Sequence, residues 1–378
     1  MLALMVAADV VTATEQTRRP ADRLLRDALR TAHLPPTSAA HAAEAMFAWF
    51  RWRGFCLRPG ETIGPATLQR ALDFAARFAR EPAVFDDAAL LDGALPGWWR
   101  HHWSIHAGLV RAFQTPPALW LRARPGTAGQ LASALPGASA AGLPGLPDAL
   151  RYTGQADIFR SSPFASGRCE IQDIASQAVG VVCSPRPGEK WWDACAGEGG
   201  KTLHLCDLMR NRGVVWASDR SAARLAILRR RAARAEIFNY RVVPWSGGPK
   251  PPARTLFDGV LVDAPCSGVG TWHRNPHARW TTGPVDVREL AAVQGKLLGA
   301  AAHAVRPGGR LVYAVCTLTR EETSDLVAAF AQSHPSFEPA PFCDPFNPAK
   351  EPVAQVAWEP QVTGGNGMFV AAWRRSSP

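Results

Sequence analysis

From Lys190 onward the chain alternates short apolar runs rich in Val, Leu and Trp with helix-periodic stretches, and this alternation leaves few folds open. KWWDACAGEGGKTLHLCDLM reads as strand, Gly-rich loop and helix, and GVVWASDRSAARLAILRRRAARA repeats strand then helix. LFDGVLVDAPC and PGGRLVYAVCTL supply two further buried strands. Strands separated by helices predict a parallel sheet covered on both faces. Ligands of such sheets bind beyond the carboxyl ends of the strands, and the chemistry-bearing residues of this chain fall there.

At 378 residues the chain is long enough for two or three domains, and 47% hydrophobic with 20% charged residues excludes the disordered and fibrous classes. Segments such as ADRLLRDALRTAH and TLQRALDFAARFAR space apolar residues three and four apart, which predicts a helical region over 1–82. Residues 83–147 are richer in Pro, Gly and Trp and suit a small α+β region, with a helix and then a strand around LVRAF and PPALWLRARPG. The Pro- and Gly-rich ALPGASAAGLPGLPD has the composition of a linker, and an α/β domain is expected over 148–378.

Lys and Arg number 42 against 32 Asp and Glu, a net charge of +10 that favours polyanionic partners as well as simple solubility. Arg224, Arg229, Arg230, Arg231 and Arg234 crowd one helical stretch, where a solvated face is the commoner explanation. The cysteines at 56, 169, 183, 195, 206, 266, 316 and 343 include no Cys-x-x-Cys pair, so neither a structural metal nor a disulfide framework is expected. MLALMVAADVVTA lacks a basic start and is interrupted by Asp9, which argues against a signal peptide or membrane span. A cytoplasmic monomer is expected.

The strand ending in Asp193 runs into Cys195, Ala196, Gly197, Glu198, Gly199, Gly200 and Lys201 and then a helix, with Asp219 closing the next strand. Glycines admit close backbone approach and the second acid suits ribose hydroxyls, a logic common to nucleotide-type cofactors. The loop is not Gly-x-Gly-x-x-Gly, and a phosphate loop would need Gly where Cys195 stands. S-adenosylmethionine fits better than either a dinucleotide or a nucleoside triphosphate, and Arg224 is counted with the residues that would hold it.

Cys266 and Cys316 both lie at predicted carboxyl ends of strands, beside that loop, whereas buried core thiols have no reason to gather there. DACAGEGGKT, DAPCSGVGTWHRNP and LVYAVCTLTREE, in this order, resemble the RNA cytosine-carbon-5 methyltransferases, the group of bacterial small-subunit rRNA enzymes and eukaryotic nucleolar ones. PPALWLRA, IQDIASQAV, Gln294, the PGG at 307–309 and GGNGMFVA match in order as well, so the resemblance runs from about Pro116 to the C-terminus. It implies a Rossmann-like class I S-adenosylmethionine methyltransferase domain, preceded by N-terminal helical and small α+β RNA-binding regions.

The resemblance also implies roles. Carbon 5 of cytosine is too weak a nucleophile to take a methyl group from a sulfonium until a thiolate adds to carbon 6, and Cys316 matches the family's nucleophile. Asp263 would protonate or hydrogen-bond nitrogen 3 while also bordering the cofactor, and Cys266 would release the product. Lys201 would serve either the cofactor or the electrostatics of the reacting site, and Asp193 would organise the loop. The base must be single-stranded or flipped out, and Trp272, His273, Arg274 and Asn275 are candidates to hold RNA, the alternative being an ordinary loop with a packed Trp. Ribosomal RNA is the expected substrate and tRNA the second choice.

Departures from the family pattern are visible. Glu198 stands where Pro is usual, Val315 and Thr317 flank Cys316 where Thr and Ser are usual, and Thr323 replaces an Asn after Glu322. The Asp expected near Trp245 or Ser246 for the adenine is missing. A DNA cytosine methyltransferase would leave the second thiol without a duty. A ribosome-assembly factor that kept the RNA surface but lost turnover would have no need of both cysteines.

Overall fold

The structure is a computed structural model that describes residues 1–58, 60–252 and 255–377. Its contacts divide the chain into two compact units, one of residues 1–117 with 268–287 and one of residues 118–267 with 288–378. The sequence boundaries at 82/83 and 147/148 coincide with neither junction.

The first unit is helical. Leu2–Thr17, Ala21–Ala32, Pro36–Cys56, Pro65–Arg80, Asp87–Gly93 and Ala107–Gln114 are its longer helices, so residues 83–114 continue the helical region. Trp52 is the centre of its aromatic core, with ring centroids of Phe55, Phe74, Phe78 and Phe85 at 5.4, 5.7, 5.3 and 5.1 Å. The segment 268–287 joins this core through the fully buried Arg279, which donates to Gln114 Oε1 at 2.6 Å, to Ala94 O at 3.2 Å and to the Phe113 and Trp272 carbonyls. Arg51 donates to His273 O at 2.8 Å, and burial lowers its guanidinium to about 10. Leu2–Thr17 buries Leu4, Ala7, Val11 and Thr14. No helix among the described residues is long and apolar enough to cross a membrane.

The second unit carries two sheets. Strands β1 (Leu119–Ala123), β2 (Ala138–Ala140), β3 (Ala149–Tyr152) and β4 (Cys169–Ile171) form an antiparallel sheet in the order β2-β3-β1-β4. The stretch read as a linker is therefore part of a sheet: β2 pairs with β3 and the glycines turn the chain, Gly137 at φ 89° and Gly142 at φ 70°. Its Pro and Gly residues serve turn geometry rather than flexibility.

The larger sheet contains β5 (Lys190–Asp193), β6 (Val214–Ala217), β7 (Tyr240–Val242), β8 (Phe257–Asp263), β9 (Val305–Val315), β10 (Phe337–Pro339), β11 (Gln355–Trp358) and β12 (Met368–Arg375). Its order is β10-β12-β9-β8-β5-β6-β7, with β11 also on β12. The strands from β9 to β7 along this path are parallel, as expected, and β12 joins β9 antiparallel, with β10 and β11 antiparallel to β12 in turn. Period-two alternation splits the residues between two apolar layers. Trp191, Leu261, Val312, Ala314 and Val370 face one layer, and Trp192, Val260, Val262, Leu311, Tyr313 and Phe369 the other. The helices Ile174–Cys183 and Gly200–Leu208 contribute to the first layer and Pro284–Ala302 to the second.

Parallel pairing sets Trp191 of β5 opposite Gly259 of β8, and the indole occupies the space where a side chain on Gly259 would stand: a Cβ there would lie 2.3 Å from Trp191. Gly259→Ala is expected to force the indole aside and destabilise the second unit by about 1–3 kcal/mol, measurable as a lower urea midpoint at unchanged slope.

Candidate active site

Strand order reverses between β5 and β8, because the chain winds from β5 outward to β7 and then returns to the other side of β5. The loops after these two strands diverge and open a cavity of about 530 Å³ within the second unit. Loop 195–201 forms one wall. Gly199, at φ 89°, caps the helix Gly200–Leu208, and a Cβ on it would meet Leu228 at 2.6 Å, so only glycine lets the loop lie against the helix Ala222–Arg234. Asp219 ties the loop to the next turn by accepting from Gly197 N at 3.0 Å and from Ser221 N at 2.7 Å.

Asp193 is fully buried beneath this loop and accepts from Thr202 Oγ1 at 2.7 Å. Burial pushes its carboxyl up to about 7 against the lowering effect of that hydrogen bond, with the charge of Asp263 adding to the rise. Cys195 borders the cavity half-buried, its thiol pushed up by burial.

At the end of β8, Asp263 Oδ2 lies 2.7 Å from the ammonium of Lys201. Burial pushes the Lys201 ammonium down, yet the Asp263 charge and hydrogen bond outweigh it and leave it above its ordinary value. Lys201 thus lines the cavity paired with Asp263. Beyond Asp263 the chain carries Cys266, and beyond β9 it carries Cys316, with the two sulfurs 3.3 Å apart and neither in a disulfide. The hydrogen bond from Cys266 lowers the Cys316 thiol below its ordinary value. Burial and the Asp263 charge oppose this, and the Lys201 charge assists it.

Sequence reasoning missed the group that holds both cysteine loops. Glu322 is fully buried, and its Oε1 accepts from Ser267 N at 2.9 Å and Gln294 Nε2 at 2.8 Å. Its Oε2 accepts from Ser267 Oγ at 2.5 Å, Thr317 Oγ1 at 3.1 Å and Thr319 Oγ1 at 2.8 Å. Gln294 Nε2 also reaches Pro265 O at 2.9 Å. The available signal was an acid six residues after one cysteine in a segment dense with hydroxyls, LTREE after VCT.

Other expected residues are placed differently from one another. Ala196, Gly197, Glu198, Gly200, Asp219 and Arg224 line the cavity, Glu198 and Arg224 from exposed positions. The Gly199 side instead faces Leu228. Trp245, Ser246 and Gly247 line the cavity too, but the Trp245 indole N–H is spent on Gly248 O at 3.2 Å and Lys250 O at 3.0 Å, so that residue offers a ring surface and no donor. Arg231 and Arg234 hold the buried Glu170 at 2.9 and 2.5 Å, leaving Arg224, Arg229 and Arg230 as the solvated part of the basic helix.

Trp272 and His273 are corrected. Trp272 is fully buried in the first unit against Trp98, Trp103 and Phe113, and His273 stacks on Phe113 with burial pushing its imidazole down to about 3. Aromatic packing, not RNA, uses their rings, as the packed-Trp alternative expected. Arg274 is exposed, and Asn275 is half-buried with its amide donating to Thr271 Oγ1 at 3.2 Å.

A doubly wound sheet whose switch point opens on a Gly loop, an acid at the second strand end and a pair of thiols defines a Rossmann-like methyltransferase fold. Residues 180–374 match the family described as 16S rRNA methyltransferase RsmB/F, and the chain belongs to that family. It is 38% identical over 206 residues to the "Probable ribosomal RNA small subunit methyltransferase B" of Synechocystis sp., covering 53% of this chain and 46% of that protein. It is 32% identical over 255 residues to the "Ribosomal RNA small subunit methyltransferase B" of Salmonella newport, covering 65% and 56%. The chain thus spans about half the length of the curated relatives it matches. Among solved structures, the crystal structure of PH0851 superposes with a TM-score of 0.79 at 21% identity over 99% of this chain and 98% of that one. A methyltransferase homolog protein from Pyrococcus horikoshii superposes with a TM-score of 0.63 at 24% identity over 79% and 99%. These likenesses establish the fold.

The raised Asp193 carboxyl has a thermodynamic consequence. Between its unfolded value of 3.8 and about 7 the folded chain holds a proton that the unfolded chain has lost, so its contribution to stability is present at low pH and lost as pH rises through 7. Asp193→Asn keeps an acceptor for Thr202 and removes this titration. The difference in Tm between wild type and variant is expected to shift against the wild type from pH 4 to 7 and to level off above, a change on the order of 4 kcal/mol in unfolding free energy.

Proposed function

We propose that this chain methylates carbon 5 of a cytosine in RNA, with ribosomal RNA as the substrate and S-adenosylmethionine as the methyl donor. The observation that carries this reading is the pair of sulfurs 3.3 Å apart at the ends of adjacent strands, beside the cavity walled by loop 195–201 and Asp219. Ribosomal RNA is the substrate named for the relatives above, and the net charge of +10 suits any RNA.

The cavity fits the donor: about 530 Å³ lies within the range of small-molecule sites, and a Cβ on Gly197 would meet nothing within 4 Å, so the loop backbone is open to a ligand. Loop 195–201, Asp219, Trp245 and Arg224 are the residues that would hold it. When bound, S-adenosylmethionine supplies an electrophilic methyl group on a sulfonium.

The chain's own residues supply the rest. The Cys316 thiolate adds to carbon 6 of a flipped-out cytosine, forming a sulfur–carbon bond and making carbon 5 nucleophilic. Asp263 directs a proton to nitrogen 3, and the Lys201 ammonium beside it replaces that proton, which reconciles a donating Asp263 with its ion pair. Once carbon 5 is methylated, Cys266, having given its own proton to solvent, takes the carbon-5 proton as a thiolate. The sulfur–carbon bond then breaks, Cys316 leaves as thiolate, and nitrogen 3 returns its proton to the Asp263–Lys201 pair.

Cys316→Ala is expected to reduce methyl transfer by on the order of 10³-fold or more. Cys266→Ala should instead accumulate a protein–RNA adduct that survives denaturing electrophoresis. Lys201→Met should slow turnover at least about tenfold. A Cys266→Ala protein that releases methylated RNA at the wild-type rate contradicts the reading, and bisulfite mapping of RNA from cells with and without the gene distinguishes rRNA from tRNA.

A further inference from the structure

Glu322 combines three properties that a merely structural carboxylate rarely shares. It is fully buried, it has no Lys, Arg or His ion partner among the described residues, and all five of its donors come from the segments that carry the two cysteines or from Gln294. Ser267 follows Cys266 directly, and Thr317 follows Cys316 directly. The loops leave two adjacent parallel strands, β8 and β9, whose backbone pairing runs as far as Ala264 N on Ala314 O at 3.0 Å, before either cysteine is reached. Leaving such a buried charge unsatisfied costs several kcal/mol, so the five donors are held on it firmly and the loops with them.

We infer that Glu322 is a positioning residue for the thiol pair: by binding Ser267 on one side and Thr317 and Thr319 on the other, it sets the separation of Cys266 and Cys316 and so allows one thiol to act on the adduct formed by the other. This rests on the reading of Cys266 and Cys316 as the working pair. Gln294 completes the clamp, since the same amide nitrogen that donates to Glu322 donates to Pro265 O, one residue before Cys266.

Charge and position make opposite demands on Cys316. The negative charge of Glu322 by itself raises the Cys316 thiol, whereas the hydrogen bond from Cys266 lowers it. If Glu322 acted only through its charge, its neutralisation would make Cys316 a thiolate at lower pH. If it holds the loops in register, neutralisation loosens the sulfur–sulfur contact and the thiol titrates higher.

The test is the pH dependence of Cys316 alkylation by iodoacetamide in the intact RNA-free chain, read peptide by peptide by mass spectrometry, in wild type and Glu322→Gln. We expect the midpoint to rise by about one unit in E322Q, hence alkylation about tenfold slower at a pH below the midpoint. Thr319→Val, which removes one donor and preserves volume, should shift the midpoint in the same direction by less. It also keeps the proposal testable if E322Q does not fold, as judged by circular dichroism. In RNA-containing reactions E322Q should raise the ratio of trapped adduct to released product, as Cys266→Ala does. A midpoint that stays or falls in the folded variants overturns the positioning role. A midpoint that rises while wild-type chain methylates no RNA keeps it and discards the reaction instead.

Discussion

The reversal of strand order between β5 and β8 is the constraint on which the site depends. Neighbouring strands that hand their chains off in opposite directions cannot both be covered by their own following helices, so a crevice opens at their carboxyl ends. Into that crevice the fold delivers the loop after β5, the acid after β6, the acid and thiol after β8, and the thiol after β9. No one of these is unusual by itself. Their convergence follows from the winding alone, and it places a wall suited to a nucleoside-type ligand next to a pair of thiols.

The crevice concentrates charge that an apolar sheet would otherwise exclude. Asp193 and Glu322 are fully buried, Lys201 nearly so, and Asp263 is half-buried between them. Each is handled differently. Lys201 and Asp263 neutralise one another, Asp193 is pushed towards its neutral form, and Glu322 is solvated by five donors in place of water. The result is a site whose polar groups are fixed before any ligand arrives, which is the condition for electrostatic effects to act without reorganisation.

Much of this was legible from the chain. The strand, loop and helix alternation after Lys190 located β5, β6, β8 and β9, and the resemblance carried by the two cysteine motifs put both thiols in one place. Glu322 was not legible as a hub, because its donors lie up to 55 residues away and hydrogen bonds between side chains leave no periodic trace. Trp272 and His273 misled because an aromatic and basic stretch reads equally as an RNA surface or as a core. Only the rings at 98, 103 and 113 decide between these. The domain limits escaped because residues 268–287 leave the α/β unit and join the helical one, an exchange that composition does not mark.

The departures from the family pattern become intelligible on the same physical grounds. Val315, where Thr is usual, is fully buried in the apolar layer and pairs with Phe369 of β12, so a hydroxyl there would have to find a partner among hydrocarbon neighbours. Thr317 replaces Ser but keeps the one group the position uses, the hydroxyl that reaches Glu322. Thr323 replaces Asn and spends its hydroxyl on Thr319 O at 2.7 Å, which closes the turn carrying Glu322. Glu198 stands exposed on the loop, and it is its backbone carbonyl, available from any residue, that accepts from Arg231 at 3.0 Å. Each of these residues therefore either keeps the hydroxyl that the clamp uses, as Thr317 does, or contributes no side-chain atom to Glu322.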